Sequence, residues 1–480
     1  MRPVLTPAEA AAVDRATIDA GTPSEVLMAR AGAAVARAAL DVAGGAYGRR
    51  AVVLAGTGHN GDDGRIAAGH LAAAGMRVEV VDVPGQDGAR LGRSLDRADL
   101  AIDALVGTGF HGVAQGDLAA AIEALRNAPC PVVAVDVPSG VDGGTGAVSG
   151  PAVDARLTVA MGAPKTGTVL MPGAELAGDL RVVDIGFPDE LIPRATGLTD
   201  PEDVDAALAP RATDAHKKAA GVVLVVAGSR AMPGAARLVA GAAQRTGAGY
   251  VVVAAPAGAL GVILAGVPEA VGVPLAETVA GTVAAAALDE VLARASTADA
   301  LAVGPGMGTD PETAGFVRDL VRSSPVPVVL DADGLNAFPG AAATIGDRKA
   351  DAVLTPHLGE LARLGTDVGA DKLSAARELA VSTDAVALVK GARSVIAEPG
   401  GLARVNPTGT PALATAGTGD VLTGVIAALL ARRLAAFDAA WAGAYLHGLA
   451  GGLAGDEGVV AGDVIAALPD ALGAVREQAG

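Results

Sequence analysis

The residues best able to do chemistry in this chain stand where apolar runs end, beside glycine. In "TPALATAGTGDVLTGVIAALL" (Thr410 to Leu430) a loop of small residues ends in one carboxylate, Asp420, and an apolar helical pattern follows at once. The first amides of a helix carry about half a positive charge, and glycine lets the backbone approach closely. Gly417, Thr418 and Gly419 can therefore cradle a phosphate. An acid beside that cradle would repel the phosphate unless it moved a proton to or from a hydroxyl held nearby. The plain alternative is a glycine turn with Asp420 as its N-terminal cap, since in a chain with 66 glycines a Gly-x-Gly carries little weight alone.

Other run ends add to it. "VLTPHLGELARL" puts His357 past an apolar run, "VVLDADGLNAF" does the same for Asp331, Asp333 and Asn336, and "LVKGARSVI" for Lys390. "AVGPGMGTD" contributes Gly304, Gly306 and Gly308. A lone His or Lys is usually structural or solvated, but this combination describes a nucleotide site with a general acid–base. In the first half, "LAGTGHNGDDGRIAAGHL" sets Gly56, Gly58, Gly61 and Gly64 around Asn60 and Asp63. It can hold a phosphate or be a simple glycine turn. "IDALVGTGF" places Asp103 at a run end, and "VVAVDVPSGVDGGTG" places Asp136, Ser139 and Asp142 after another. Asn60, Asp103 and Ser139 offer three hard oxygen ligands, the donor type of a cation site.

Strand–turn–helix–strand cycles must position these residues. "RRAVVLAGTG", "MRVEVVDVP", "ADLAIDALVGTG" and "PVVAVDVPSG" read as strands of a parallel sheet, with "GRIAAGHLAAAG" as a helix after a Gly-rich turn. Pro, Asp and Thr crowd residues 189–211, where a domain boundary is expected. A second α/β unit restarts at "GVVLVVAGS" and continues through "YVVVAAP", "ALAVGPGMG", "VPVVLDADG", "DAVLTPH" and "AVALVKG". The expected domains are residues 1–195 and 205–480. At 480 residues the chain exceeds one ordinary core. It is 51% hydrophobic but only 2% aromatic, so Ala, Val and Leu must fill the cores. A net charge of -17 argues against a general nucleic-acid or anionic-membrane grip. Cys130 is the only cysteine, which precludes an intrachain disulfide. The start lacks a signal-peptide core, and no unbroken apolar run reaches spanning length, so a cytoplasmic protein is expected.

The segment from about Ala212 to Pro469 resembles the ADP/ATP-dependent NAD(P)H-hydrate dehydratases, of ribokinase-like fold. "HKKAAGVVLVVAGS", "PGAARLVAGAAQRTGAG", "GPGMG", "DADGLN", "LTPHLGE", "VKGARS" and "NPTGTPALATAGTGDVLTG" carry the resemblance, in the family's order. It implies that the S form of a hydrated nicotinamide cofactor, NADHX or NADPHX, loses water at the expense of ADP, with Mg2+. By position, Lys390, Gly391, Ala392, Arg393, Ser394 and Gly419 would hold the nucleotide. Ala235, Gly306, His357 and Asp420 would contact the hydrate, with Asp420 as base.

The first half, with "MARAGAAVARA", resembles the NAD(P)H-hydrate epimerase domain over roughly residues 1–187, a Rossmann-type fold that interconverts R and S hydrates. By position, Asn60, Asp103 and Ser139 would bind K+. His59, Asn60, Gly61, Asp62 and Asp63, with Gly107, Thr108, Gly109, Phe110, His111, Gly112 and Val113, would contact the hydrate, and Asp136 would be the acid–base. The family loop usually reads Gly-Asn-Asn-Gly-Gly-Asp-Gly, whereas here His59 and Asp62 replace an Asn and a Gly. Asp62 would be strained at a positive φ and unfavourable beside a pyrophosphate. The partners expected are these small molecules, and the protein is expected to be a homo-oligomer. The competing reading is a ribokinase-like small-molecule kinase joined to a dinucleotide-binding module without catalysis.

Overall fold

The computed structural model describes residues 1–83, 85, 88–208, 220–366, 369 and 371–479. Most of the "HKKAAG" opening therefore lies outside the described residues. Two compact units form: Arg2–Gly197, and Leu198–Gly480 with Met1. The second thus begins at Leu198, ahead of the expected start at 205. Val204 and Leu208 explain this, since both are buried in the second unit's core.

In the first unit, strands β1 (Arg50–Ala55), β2 (Arg77–Asp82), β3 (Leu100–Ala104), β4 (Val132–Val135), β5 (Leu157–Met161) and β6 (Asp179–Val183) build one sheet. Its order is β2-β1-β3-β4-β5-β6, parallel throughout. β1 reads as a continuous apolar run, and β3 as one broken only by Asp103, because both their faces are covered. The chain order reverses between β1 and β3, and the loops leaving their carboxyl ends diverge there, which opens a crevice. Helix α1 (Ser24–Ala43) packs on helix α2 (His59–Ala73).

The glycine-rich stretch after β1 is not the turn expected from its composition. Residues 59–64 are already the first turns of α2. Gly61 permits this: a Cβ there would lie 2.0 Å from the Gly56 carbonyl oxygen, so only glycine lets the helix start pack onto the strand end. Asp62 is accordingly helical, and the strain foreseen for it does not arise.

The second unit contains β7 (Val222–Val226), β8 (Tyr250–Pro256), β9 (Val271–Leu275), β10 (Ala300–Val303), β11 (Val328–Leu330), β12 (Ala352–Leu354), β13 (Val386–Val389), β14 (Val395–Ala397) and β15 (Ala403–Val405). They run β15-β14-β13-β12-β11-β10-β7-β8-β9. The ladder is parallel from β9 to β13, and β14 and β15 close it antiparallel. Helices α3 (Pro233–Thr246), α4 (Leu358–Leu364), α5 (Thr418–Ala431) and α6 (Ala436–Ala454) place the chemistry. α5 is buried along almost its whole length among small and branched residues, as a chain poor in aromatics requires. Gly424 lets it approach α3, where a Cβ would sit 2.2 Å from the Val239 carbonyl. Among the described residues no helix is long and apolar enough to cross a membrane.

Candidate functional sites

The crevice of the first unit is a cavity of about 690 Å³. His59, Asn60 and Asp63 line it, as do Gly107 to His111 and Asp136, whereas Gly61, Asp62, Gly112 and Val113 do not. Asp62 turns to Arg65, with its Oδ1 2.9 Å from Nη1, and the same guanidinium reaches Asp82 at 2.7 Å. Its extra negative charge is thus paired away from the cavity. His111 is exposed and lies 2.7 Å from Asp142.

Asp136 follows β4 in the left-handed region, φ 65°, a conformation costly for a residue with a side chain. Its Oδ1 accepts from the Met161 amide at 3.0 Å and from the Lys165 ammonium at 2.5 Å. Lys165, with its side chain 3% exposed, also donates to the carbonyls of Met161 and Ala163. All three of its protons are therefore used, and it stands as a fixed counter-charge to Asp136. Sequence reasoning missed Lys165. The signal was available, for "LTVAMGAPKTG" sets a lysine past an apolar strand as "LVKGARS" does.

Asp63 faces the same cavity without such support. Its Oδ1 is buried with no hydrogen-bond partner. Burial, reinforced by the charges of Asp136, Asp62 and Asp14, pushes its pKa up to about 7.

The three expected cation ligands converge on Val106. Asn60 Nδ2 donates to the Val106 carbonyl at 3.0 Å, and the Val106 amide donates to Ser139 Oγ at 3.1 Å. Ser139 donates to Asp103 through Oγ at 2.6 Å and through its amide at 2.8 Å. Asp103 is fully buried, and burial pushes its pKa up to about 6. The cluster is thus a buried carboxylate with a hydroxyl, a side-chain amide and the Val106 carbonyl around it.

In the second unit the ends of β11 and β13 meet the start of α5 through Asp331 and Lys390. Gly306, φ 66°, passes Ala235 so closely that a Cβ would stand 2.7 Å from that of Ala235, which brings these two expected contacts together. The Gly308 amide donates to Asp333 at 2.8 Å, and Asn336 bridges Asp333 to Arg363. His357 caps α4. Its Nδ1 accepts from the amides of Gly359 and Glu360 at 3.0 and 3.2 Å, while Glu360 accepts from the His357 amide.

Lys390, which by position would hold the nucleotide, has its ammonium 2.6 Å from Asp331 and 3.7 Å from Glu360, both almost wholly buried. Burial opposes its charge, but the two carboxylates outweigh that and hold its pKa above the ordinary lysine value. Thr423 completes the cluster by donating to Asp331 at 2.8 Å. A Cβ on Gly419 would stand 3.4 Å from Lys390 Nζ, so the helix start and the lysine adjoin. Asp420 occupies the third helical position there, and α5 has no side-chain cap. Burial raises its pKa to about 7, with Asp331 and Asp333 adding to the effect and Lys390 opposing it.

Residues 391–394 form a loop after β13. Lys372, not anticipated from the sequence, donates to the carbonyls of Ala392 and Arg393 at 3.3 and 3.1 Å. Ser394 donates to the Gly391 carbonyl at 3.0 Å, and Arg393 is left-handed at φ 54°. Glu360 and Thr423 were also missed. Their one-turn spacing from His357 and Asp420 was the available sign, since residues three or four apart share a helix face.

Comparison with known proteins agrees with this division. Residues 223–470 match the family model described as NAD(P)H-hydrate dehydratase, and residues 24–91 and 81–167 match that of the YjeF-related protein N-terminus. The bifunctional NAD(P)H-hydrate repair enzyme of Moorella thermoacetica is 40% identical over 99% of this chain and 97% of its own. Its counterpart from Thermofilum pendens is 39% identical over 95% and 93%. The ADP/ATP-dependent NAD(P)H-hydrate dehydratase of Bacillus subtilis, crystallised with ATP and Mg2+, is 29% identical and covers 58% of this chain and 98% of its own, TM-score 0.50. A ribokinase-like protein of Enterococcus faecalis shares the fold, with a TM-score of 0.51 at 23% identity. The chain belongs to the family of bifunctional NAD(P)H-hydrate repair enzymes.

Proposed function

We propose that the second unit dehydrates the S hydrates of NADH and NADPH with ADP and Mg2+, and that the first unit interconverts the R and S forms. The observation that carries the first activity is Asp420: a carboxyl pushed to about 7, at the uncapped, amide-bearing start of α5, beside the Lys390–Asp331 pair. A base poised near the working pH is what proton removal from a hydroxyl needs. The amides of α5 hold the transferred phosphate. Asp420 takes the proton of the substrate hydroxyl as its oxygen attacks the β-phosphate of ADP, and AMP leaves. The C6–O bond then breaks with its electron pair leaving on phosphate, a proton leaves the neighbouring ring carbon C5 to solvent, and the C5–C6 double bond of the reduced nucleotide forms. Mg2+, when bound, would supply charge neutralisation on the phosphates. Lys390, held by Asp331 and Glu360, sets the field around Asp420. The loop 390–394 takes the nucleotide, and Ala235, Gly306 and His357 take the hydrate.

For the epimerase, Asp136 acts as acid–base, held by the Lys165 ammonium at 2.5 Å. Asn60, Asp103 and Ser139, with the Val106 carbonyl, would hold K+, which would supply positive charge next to the substrate loop 107–111.

The test is to supply mixed R and S NADHX with ADP and follow NADH. Full conversion is expected, whereas a stable phosphorylated product would establish the kinase reading instead. Asp420→Asn should lower dehydration on the order of 10²–10⁴-fold while ADP still binds. Because the base must be ionised, kcat/KM should rise with pH through about 7 in the parent. A variant with near-parent turnover removes Asp420 from the role.

A further inference from the structure

The first unit's cavity holds two carboxyl groups in opposite electrostatic settings. Asp136 is matched by Lys165 at 2.5 Å and by the Met161 amide. Asp63, on the first turns of α2, has a buried oxygen with no donor near it. An ionised carboxylate whose oxygen is buried without a hydrogen bond is costly, so the site favours the proton-bearing form of Asp63. The charged groups around it point the same way. Asp62 adjoins it on its own helix, with its charge shared by Arg65. Asp14 reaches it from the helix Pro7–Asp19, and Asp136 from the end of β4. His59 and His111 also border the cavity, and Asp103 stands at the end of β3. The cation in the cavity wall, Lys165, is spent on Asp136 and two carbonyls.

We propose that Asp63 is a second catalytic residue of the epimerisation, the proton donor that complements Asp136 as proton acceptor in the same cavity. A carboxyl buried without a donor, in one cavity with a carboxyl matched by a cation, is the arrangement an acid and a base sharing one reaction require. The proposal rests on the epimerase reading of this unit and adds the missing half of its proton traffic.

The chemistry balances without a redox partner. C6 of the hydrated ring bears a hydroxyl and is bonded to the ring nitrogen. Asp63 gives its proton to that hydroxyl oxygen. The C6–O bond breaks with its electron pair leaving on water, and the nitrogen lone pair forms a C6–N double bond. Water then adds to the opposite face of C6 and passes a proton to the Asp136 carboxylate. Afterwards Asp63 is ionised and Asp136 protonated, and the pair resets by exchange with solvent or by converting the opposite epimer.

The experiment uses the full chain without ADP, so that dehydration is silent, and follows R-to-S conversion of NADHX in potassium buffer. The variants are Asp63→Asn, which keeps shape and loses the exchangeable acid, Asp63→Glu, which keeps the acid, and Asp136→Ala. Asp63→Asn is expected to lower kcat on the order of 10²–10⁴-fold with KM nearly unchanged, and Asp63→Glu to restore part of it. The parent's kcat should fall as pH rises through about 7, since the donor must be protonated, and Asp63→Asn should lose that limb. Three results overturn the proposal while leaving the epimerase reading intact: parent-like kcat in Asp63→Asn, a lowered kcat with the alkaline limb retained, or Asp63→Glu no better than Asp63→Asn. A parent no faster than buffer overturns the epimerase reading, and this inference with it.

Discussion

Lys390 shows how a side chain's neighbours change its meaning. From sequence it is a cation at a strand end. In the fold it is the counter-charge of Asp331 and Glu360, whose side chains are 1% and 6% exposed. Removing it would leave two buried carboxylates unpaired, a loss of about 3–5 kcal/mol for a broken buried pair. Lys390→Ala is therefore expected to lower the urea midpoint of the protein. It should also move the rise of dehydration kcat/KM to a pH above 7, because Lys390 is the group that opposes the raised pKa of Asp420. Stability and pH–rate measurements on the one variant check both outcomes. Weakened ADP binding without either change would make Lys390 a phosphate ligand only.

At the scale of elements, α5 joins the proposed base, Asp420, to the core. Its first turn carries Thr418, Gly419 and Asp420, and one turn on Thr423 braces Asp331. Further along, Gly424 lets the helix press against α3. Gly424→Ala would force a methyl group to within 2.2 Å of the Val239 carbonyl unless the helix moved. Overpacking of this kind costs about 1–3 kcal/mol. The expected result is a lower Tm together with a lower dehydration rate, since any shift of α5 carries Asp420 with it. In the first unit α2 works the same way: its start is drawn onto the strand end through Gly61, which sets Asn60 and Asp63 at the cavity while Asp62 turns to Arg65.

For the whole molecule, the raised carboxyls make stability depend on pH in a definite sense. Asp63 and Asp420 rise from 3.8 to about 7, and Asp103 rises to about 6. Between about 4 and 7 the folded chain holds more protons than the unfolded chain. Stability is thus full below the unfolded value and is lost as pH rises towards the folded values. The net charge of -17 adds repulsion in the same direction. The double variant Asp63→Asn/Asp420→Asn should lose less stability than the parent between pH 5 and pH 8, which urea midpoints at the two values would measure. Equal losses would show that these two groups are not buried as acids.

Apolar runs bounded by glycine determined the strands, because a doubly covered parallel sheet needs continuous hydrophobic segments. The strand ends then marked where polar residues gather, so Asp136, Asp331, Lys390 and Asp420 were legible as candidates before any fold was known. Two α/β units were legible as well, from the break in pattern around residue 200. Only the tertiary structure decided which of those residues are partners. Lys165 lies 29 positions from Asp136, and Lys390 lies 59 from Asp331, separations that carry no local signal. It also decided that the Gly58–Gly64 stretch begins a helix rather than a turn, through a close approach to Gly56 that composition cannot show. The surroundings of each carboxyl came last, because the water and the charges left around it depend on the rest of the fold. That is why Asp63 and Asp136, alike in sequence as acids near strand ends, end up in opposite settings.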